Sequence, residues 1–454
     1  MNSFTSKKSL WLSVVFVFLL VSSGFSQSAP KPYLQDIKVA EPEPTPPLIK
    51  KTGNVASTAT LDIANAGLDA IDIPGYTGIL IETLDGSVVK ENYSNYAFNP
   101  ASNVKVATAY AVLKTFGPDY RFPTNVWTDG QIDRFNGVLV GNLYISGRDP
   151  VFSYENGVTI ADALNAMGIK QVSGDLIVTD NFVMNFSAST VSSANMLMSS
   201  MDSAKRNSVA TRAWQNYVTN AKKYGKVNLN PSISFGGRAY VQTVPTNARL
   251  LFSHESPKMR EIVKVTLCYS NNFLAERLGD MLGGAYAVAR IVQMNAQVPP
   301  QEFVLASSSG LGINRVTPQA QMKLLRTLRN DLEKYNMTFA DIMPVAGVDD
   351  GTLENRFNST FSIGSVVGKT GTLGRTDGGV STLSGEINTR KGKLLFVIFN
   401  QRGNVSRFRS FQNNYVAIVQ SYFGGGVPMK YDQVNLDARM AGTRISYPQK
   451  YNEE

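Results

Sequence analysis

The stretch NPASNVKVATAY, residues 99–110, decides the fold of this chain. Pro100 is typical of the first position of a helix, where the missing N–H of proline costs nothing. Apolar residues then occupy every side of the turns up to Thr115, and a helix that is apolar all round is buried. The Phe-Gly-Pro sequence at 116–118 marks its end, since glycine caps helices and proline cannot continue them. The sequence therefore predicts a core helix from Pro100 to Thr115.

This helix carries a candidate nucleophile and a candidate base. Ser102 and Lys105 are three residues apart, so a helix places them on one face. A serine hydroxyl needs a base to take its proton, and a lysine acts as one when burial or a neighbouring cation lowers its pKa. The alternative is an ordinary helix start whose lysine extends to solvent. Motifs further along the chain decide between the two.

Composition narrows the class of protein. The 454 residues suffice for two or three domains, and a hydrophobic content of 43% is that of a globular protein. The formal charge of +9 suits anionic surroundings such as a cell wall, while the absence of a basic block interleaved with aromatics argues against nucleic acid. Cys268 and His254 are the only residues of their types, which excludes a disulfide framework and a His/Cys metal cluster. We expect neither metal nor cofactor.

The amino-terminal residues predict export. Lys7 and Lys8 precede an apolar run at 10–21 and then mostly small residues at 22–26, which is the layout of a signal peptide. The run is short for a membrane span, and no later stretch reaches a spanning length, so no stable membrane anchor is expected. The predicted location is the periplasm or the cell envelope.

Two further triplets follow Ser102-x-x-Lys105 in order. Ser270-x-Asn272 lies where a helix that starts near 256–257 breaks and resumes, and Lys369-Thr370-Gly371 follows an apolar segment at 361–367 that predicts a strand. Each triplet alone is a weak signal. The three together, on a helix start, a helix break and a strand end, are typical of serine acyl-transfer enzymes.

With these motifs the chain resembles the low-molecular-mass class C penicillin-binding proteins, which are D-alanyl-D-alanine carboxypeptidases and endopeptidases. The resemblance runs from about residue 78 to 404. It rests also on these stretches: Gly141-Asn142-Leu143-Tyr144, Gly174-Asp175-Leu176, His254-Glu255-Ser256-Pro257, Ser309-Gly310-Leu311, Asn314-Arg315-Val316-Thr317, and 344–353. It implies an α+β fold: a transpeptidase-like catalytic domain, with an antiparallel sheet flanked by helices, that carries a smaller inserted α+β domain.

The expected domain layout follows from composition and from this resemblance. The parts are a signal peptide (1–26), a proline-rich linker (27–60), a discontinuous catalytic domain (61–122 and 252–430), the insertion (123–251) and a polar tail (431–454).

The resemblance also implies roles for residues of the three motifs. Ser102 would attack the carbonyl of the penultimate D-alanine, with Lys105 as the base whose pKa Lys369 lowers. Ser270 would pass a proton to the leaving amine, and Asn272 would hydrogen-bond the substrate amide.

The Lys-Thr-Gly segment would bind the substrate's carboxylate. Lys369 and Thr370 would hold that group, next to Gly371, while the N–H groups of Ser102 and Thr372 would form the oxyanion hole. The implied partners are stem peptides of peptidoglycan, and β-lactams as covalent inhibitors.

Alternatives exist for single residues and for the whole chain. His254 could be the base of a Ser-His-Asp triad, but no Gly-x-Ser-x-Gly turn is present. Cys268 could be a nucleophile, although a lone cysteine in an apolar helix turn is usually packed in a core, and Glu354 could be a deacylating carboxylate. A β-lactamase or esterase on the same scaffold, or a wall-binding protein without catalysis, are the alternative functions.

Overall fold

Short strands alternate with helices along the residues that the computed structural model describes, which are 64, 67–223, 228–359 and 362–448. The expected signal peptide and linker lie outside these residues. The strands are β1 (Tyr76–Thr83), β2 (Val88–Asn92), β3 (Pro123–Thr128), β4 (Gln131–Asp133), β5 (Val138–Val140), β6 (Leu143–Gly147), β7 (Gln171–Val172), β8 (Leu176–Val178), β9 (Ser234–Phe235), β10 (Ala239–Val241), β11 (Arg249–Glu255), β12 (Phe303–Val304), β13 (Arg315–Val316), β14 (Val366–Leu373), β15 (Val380–Thr389), β16 (Gly392–Gln401) and β17 (Arg444–Ser446). The α-helices are α1 (Val104–Phe116), α2 (Tyr154–Ala166), α3 (Thr190–Met201), α4 (Ser208–Lys223), α5 (Met259–Cys268), α6 (Asn272–Asp280), α7 (Ala285–Asn295), α8 (Pro318–Glu333), α9 (Val405–Tyr422) and α10 (Leu436–Met440).

A five-stranded antiparallel sheet, in the order β14-β15-β16-β1-β2, lies between two layers of helices. Side chains alternate along β16: Val397 and Phe399 join the core that contains α8, while Phe396 and Ile398 join the core that contains α9. Successive strand residues point to opposite faces, so a strand that is apolar at every position needs a cover on both. This confirms the expected α+β fold with an antiparallel sheet flanked by helices.

A second sheet of six strands, in the order β10-β8-β6-β3-β11-β17, belongs largely to the inserted residues. It has its own hydrophobic core with α2 and α3, which includes Phe152, Leu164, Leu197 and Phe252. The chain enters this sheet at Pro123 and returns through β11. The boundary drawn at residue 252 therefore falls inside a strand.

The residues after 430 contribute regular structure. β17 pairs antiparallel with β11, and Leu436 of α10 is buried against Val265 and Cys268 of α5. The segment described from its composition as a polar tail thus includes a strand and a helix, up to residue 448.

The central helix differs slightly from its sequence interpretation. Residues 101–103 form a 3₁₀ turn, and α1 begins only at Val104 and ends at Phe116. Gly117 follows with φ of +84°, the left-handed conformation in which glycine is favoured. The segment at 187–203 is rich in Ser, Ala and Met and has no clear periodicity in the sequence. Its residues 190–201 form α3.

Candidate active site

Ser102 lies in the 3₁₀ turn directly before α1, and buried side chains fix that turn. Ala101 has φ of +46°, a conformation that is strained for a residue with a Cβ and that persists only where its surroundings impose it. The side chain of Asn103, fully buried, donates to Thr382 Oγ1 at 2.7 Å and accepts from Ser384 Oγ at 2.6 Å. Both partners lie on β15, so the nucleophile turn is tied to the sheet.

Lys105 lies about one helical turn after Ser102, and its side chain extends back to the Ser102 hydroxyl. Its Nζ lies 3.0 Å from Ser102 Oγ, 2.6 Å from Asn272 Oδ1 and 2.6 Å from the carbonyl oxygen of Ser309. A neutral amine has two N–H donors and one lone pair. The amide oxygen and the carbonyl take the two donors, which leaves the lone pair for the Ser102 hydroxyl.

Burial lowers the pKa of both lysines of the candidate site. It lowers the pKa of Lys105 to about 7, against a smaller raising effect of Glu276. The sequence interpretation attributed this shift to Lys369, whereas the main cause is the desolvation of a side chain that is 1% exposed. The pKa of Lys369 is also lowered, by burial and then by the charge of Lys105.

Ser270 occupies the break between α5 and α6, as the sequence predicts. It has φ of +53°, and the side chain of Asn271 accepts from Leu274 N to begin α6. Lys369 Nζ lies 2.9 Å from Ser270 Oγ and 2.7 Å from the carbonyl oxygen of Thr370. The break between α5 and α6 is therefore hydrogen-bonded to β14 through Lys369.

The Lys-Thr-Gly segment lies within β14, which is the edge strand of the catalytic sheet. The sequence predicts a strand over 361–367 that ends before Lys369. The strand instead begins at Val366 and continues through the triplet to Leu373. A Cβ on Gly371 would lie 2.2 Å from Thr382 Oγ1 and 2.9 Å from Ser102 N, so only glycine allows β14 to approach the nucleophile turn this closely.

Residues of all three motifs line one cleft of about 570 Å³. Its walls are formed by Ser102, Ser270, Asn272, Gly351, Thr352, Asn355, Arg356, Thr370, Gly371, Thr372, Arg409 and Asn413. The structure therefore brings the three motifs together around a single space, with Lys105 and Lys369 buried behind its surface.

Several residues of the site were not assigned a role from sequence. Glu276 accepts from the backbone N–H groups of Ser308 and Ser309 at 3.1 and 3.0 Å. It thereby holds the carbonyl to which Lys105 donates. Glu276 is four residues after Asn272, on the same face of α6, and that spacing was the available signal. Arg356 belongs to a Gly-Thr-Leu…Arg-Phe stretch that resembles the same family, although no role was assigned to it, and Arg409 had no signal in its local sequence.

His254 and Cys268 lie outside this cleft. His254 is buried in β11 with its Nε2 3.2 Å from Asn156 Nδ2, and burial lowers its pKa to about 4. Burial raises the pKa of the Cys268 thiol to about 12. At neutral pH the imidazole is therefore uncharged and the sulfur protonated, which fits structural roles.

The sequence as a whole identifies the family. A model of the D-Ala-D-Ala carboxypeptidase 3 (S13) family matches residues 72–188 and 196–420. The chain belongs to this family, which confirms the resemblance drawn from its motifs. The D-alanyl-D-alanine carboxypeptidase of Actinomadura sp. (strain R39) is 25% identical over 469 residues, which cover 78% of this chain and 85% of the relative. The D-alanyl-D-alanine carboxypeptidase DacB of Haemophilus influenzae is 22% identical, over 71% and 84% of the two chains.

Solved structures share the fold. A predatory peptidoglycan endopeptidase of Bdellovibrio bacteriovorus superposes with a TM-score of 0.67 at 20% identity, covering 83% of this chain and all of that one. Penicillin binding protein 4 of Haemophilus influenzae superposes with a TM-score of 0.56 at 20% identity, over 79% and 98% of the two chains.

Proposed function

We propose that this protein is an exported serine peptidase that cleaves peptidoglycan peptides at D-alanyl-D-alanine, as a carboxypeptidase and endopeptidase. One observation carries the proposal: Lys105 Nζ lies 3.0 Å from Ser102 Oγ while it donates to two other acceptors, Asn272 Oδ1 and the carbonyl oxygen of Ser309. Family membership supports the choice of substrate, and the names of the relatives include both carboxypeptidases and an endopeptidase.

Acylation uses the hydroxyl of Ser102. Neutral Lys105 takes its proton while Oγ attacks the carbonyl carbon of the penultimate D-alanine. The negative oxygen of the tetrahedral intermediate accepts from the N–H groups of Ser102 and Thr372, each worth about 3 kcal/mol in the transition state. Ser270 gives a proton to the leaving amine and is reprotonated with the proton that Lys105 took from Ser102. The C–N bond breaks, the acyl group stays on Ser102, and Lys105 is neutral again.

Deacylation repeats the sequence with water as the nucleophile. Lys105, neutral again, takes a proton from water, which attacks the ester, and Ser102 Oγ leaves with that proton. Asn272 Oδ1 is occupied by Lys105, so its amide N–H is free to donate to the substrate backbone. A substrate carboxylate beside Lys369 and Thr370 would raise the pKa of that lysine and favour its charged form.

We place the protein in the cell envelope. Lys7, Lys8 and the apolar run at 10–21 support export. Within the part of the chain that the structure describes, no helix is both long enough and apolar enough to cross a membrane. Amino-terminal sequencing of envelope protein should find a start between Ser23 and Ala29, and an intact Met1 in the cytoplasm would contradict export.

The reaction is tested with a peptide ending in D-Ala-D-Ala. Purified protein should release D-alanine, and mass spectrometry after incubation with penicillin should show one adduct on Ser102. The Ser102→Ala variant, with the same fold by circular dichroism, should do neither. Equal release by both proteins would exclude Ser102 as the nucleophile.

The same assay separates the alternative functions. No release and no penicillin adduct from the wild type would indicate a wall-binding protein. An adduct that hydrolyses within seconds would indicate a β-lactamase.

A further inference from the structure

Part of the cleft lining carries positive charge without an acidic partner among the described residues. Arg356 and Arg409 both line the cleft, and the described residues of its lining include no aspartate or glutamate. Neither guanidinium forms an ion pair with any residue that the structure describes. Two cations side by side repel each other, and this arrangement becomes favourable when an anion binds between them and the nucleophile.

Arg409 connects this charge to the Lys-Thr-Gly strand. Its Nη2 donates to Thr372 Oγ1 at 2.9 Å. Thr372 is two residues after Thr370, so the two hydroxyls lie on the same face of β14. A threonine hydroxyl has one proton, and because its oxygen accepts from Arg409, that proton is directed to another acceptor in the cleft.

The guanidinium of Arg356 is held in place by hydrogen bonds to neutral side chains. Its guanidinium donates to Asn413 Oδ1 at 2.8 Å and to Gln412 Oε1 at 3.1 Å. Gln412 is fully buried and donates to Asn400 Oδ1 at 2.8 Å, so it cannot swing away. Burial and the charge of Arg409 together lower the pKa of Arg356 to about 10, which leaves it a cation at neutral pH.

We infer that Arg409, acting through Thr372 and supported by Arg356, makes the enzyme selective for substrates whose released residue carries a free carboxylate. This inference rests on the proposed function. The free carboxylate would accept from the hydroxyls of Thr370 and Thr372, with the arginine charge directly behind. Arg409 is thus a positioning residue, distinct from the residues that break the bond.

The experiment compares two peptides that end in D-Ala-D-Ala, one with a free carboxylate and one with a carboxamide. The variants are Arg409→Gln, its conservative form Arg409→Lys, and Thr372→Val. Arg407→Gln is the matched control, because Arg407 is an exposed residue of α9 that does not line the cleft and its replacement removes the same net charge. Acyl-enzyme formation is followed by mass spectrometry, alongside kcat and KM for product release.

Arg409→Gln should raise KM for the carboxylate peptide by about tenfold to a hundredfold, the range for one hydrogen bond to a charged group. It should change kcat little and change acylation by the carboxamide peptide less than about twofold. Arg409→Lys should recover part of the loss. In the Thr372→Val background, Arg409→Gln should add no further loss, since the two residues act together.

Three outcomes would overturn the inference. If Arg409→Gln slowed reaction with both peptides equally, its role would be structural. An unchanged KM for the carboxylate peptide in Arg409→Gln, or the same rise in KM in Arg407→Gln, would also contradict it. Failure of the wild type to be acylated by either peptide would instead refute the proposed function.

Discussion

At the scale of single residues, the charge of one buried amine controls the proposed reaction. Lys105 must lose a proton to act as a base, and its folded environment lowers the pKa from 10.5 to about 7. Desolvation is the main cause, because the amine contacts only neutral groups and has no carboxylate at hydrogen-bond distance. About half of the Lys105 amines are therefore unprotonated at pH 7 and can act as the base.

The pH dependence of acylation follows from this pKa. Below about pH 7 Lys105 is protonated and cannot accept from Ser102, so the second-order rate of acylation by penicillin should fall about tenfold per pH unit. Above that pH the rate should level off. Stopped-flow acylation between pH 5 and 8 tests this, with circular dichroism at each pH as the control for folding. A flat profile would show that Lys105 is not the titrating base.

Lys105→Arg should abolish acylation. Arginine keeps a positive charge and nearly the same length, but it does not give up its proton in proteins. Lys114→Arg, at an exposed position of the same helix, is the matched control and should acylate normally. Acylation is measured by mass spectrometry with penicillin, and wild-type rates in Lys105→Arg would place the base elsewhere.

At the scale of secondary-structure elements, the joint between the nucleophile turn and the sheet is polar and buried. Asn103 bridges the start of α1 to β15 through Thr382 and Ser384, and Thr382 Oγ1 also donates to the carbonyl oxygen of Pro100 at 2.8 Å. Hydrogen bonds have directional geometry, whereas apolar contacts allow sliding. This joint therefore fixes where Ser102 points as well as how stable the turn is.

Asn103→Ala should cost about 2 kcal/mol of unfolding free energy, because it leaves two buried hydroxyls each short of a partner. The same change should slow acylation by penicillin, since the Ser102 turn loses its anchor. Urea denaturation and acylation kinetics measure the two effects. Asn95→Ala, at an exposed position nearby, is the control, and equal behaviour of the two variants would show that the joint has no such role.

At the scale of the whole molecule, residues after 430 stabilise a segment that lines the cleft. Lys264 and Asp349 form a fully buried ion pair at 2.7 Å between α5 and the 344–353 segment, and that segment provides Gly351 and Thr352 to the cleft. Tyr431 donates its hydroxyl to the other oxygen of Asp349 at 2.9 Å. Residues after 430 thus complete the hydrogen bonding of a buried charge.

A chain that ends at Lys430 should be destabilised by about 3–6 kcal/mol. It loses the Tyr431 hydrogen bond to a buried charge and the burial of Leu436, each worth about 1.5–3 kcal/mol, together with the pairing of β17. A chain that ends at Pro448 keeps all of these contacts and is the control. Denaturation in guanidinium chloride compares the two, and equal midpoints would mean that the carboxyl-terminal elements do not stabilise the fold.

The sequence determined the parts of this protein that depend on local chemistry. The helix at Ser102 and the break at Ser270 follow from periodicity and from Pro and Gly. The order of the three motifs led to the family, which the family model confirms. The cleft that these motifs line was predictable in outline because the motif residues are close together within each triplet.

The tertiary structure alone decided what lies between the motifs. The bonds of Asn103 to β15, of Glu276 to the Ser308 segment and of Arg409 to Thr372 join residues far apart in sequence. Short-range patterns carry no record of such pairs. The protonation state of Lys105 could not be predicted from the sequence either. The pKa of its amine depends on how much water the assembled fold removes and on which neighbouring groups the fold supplies.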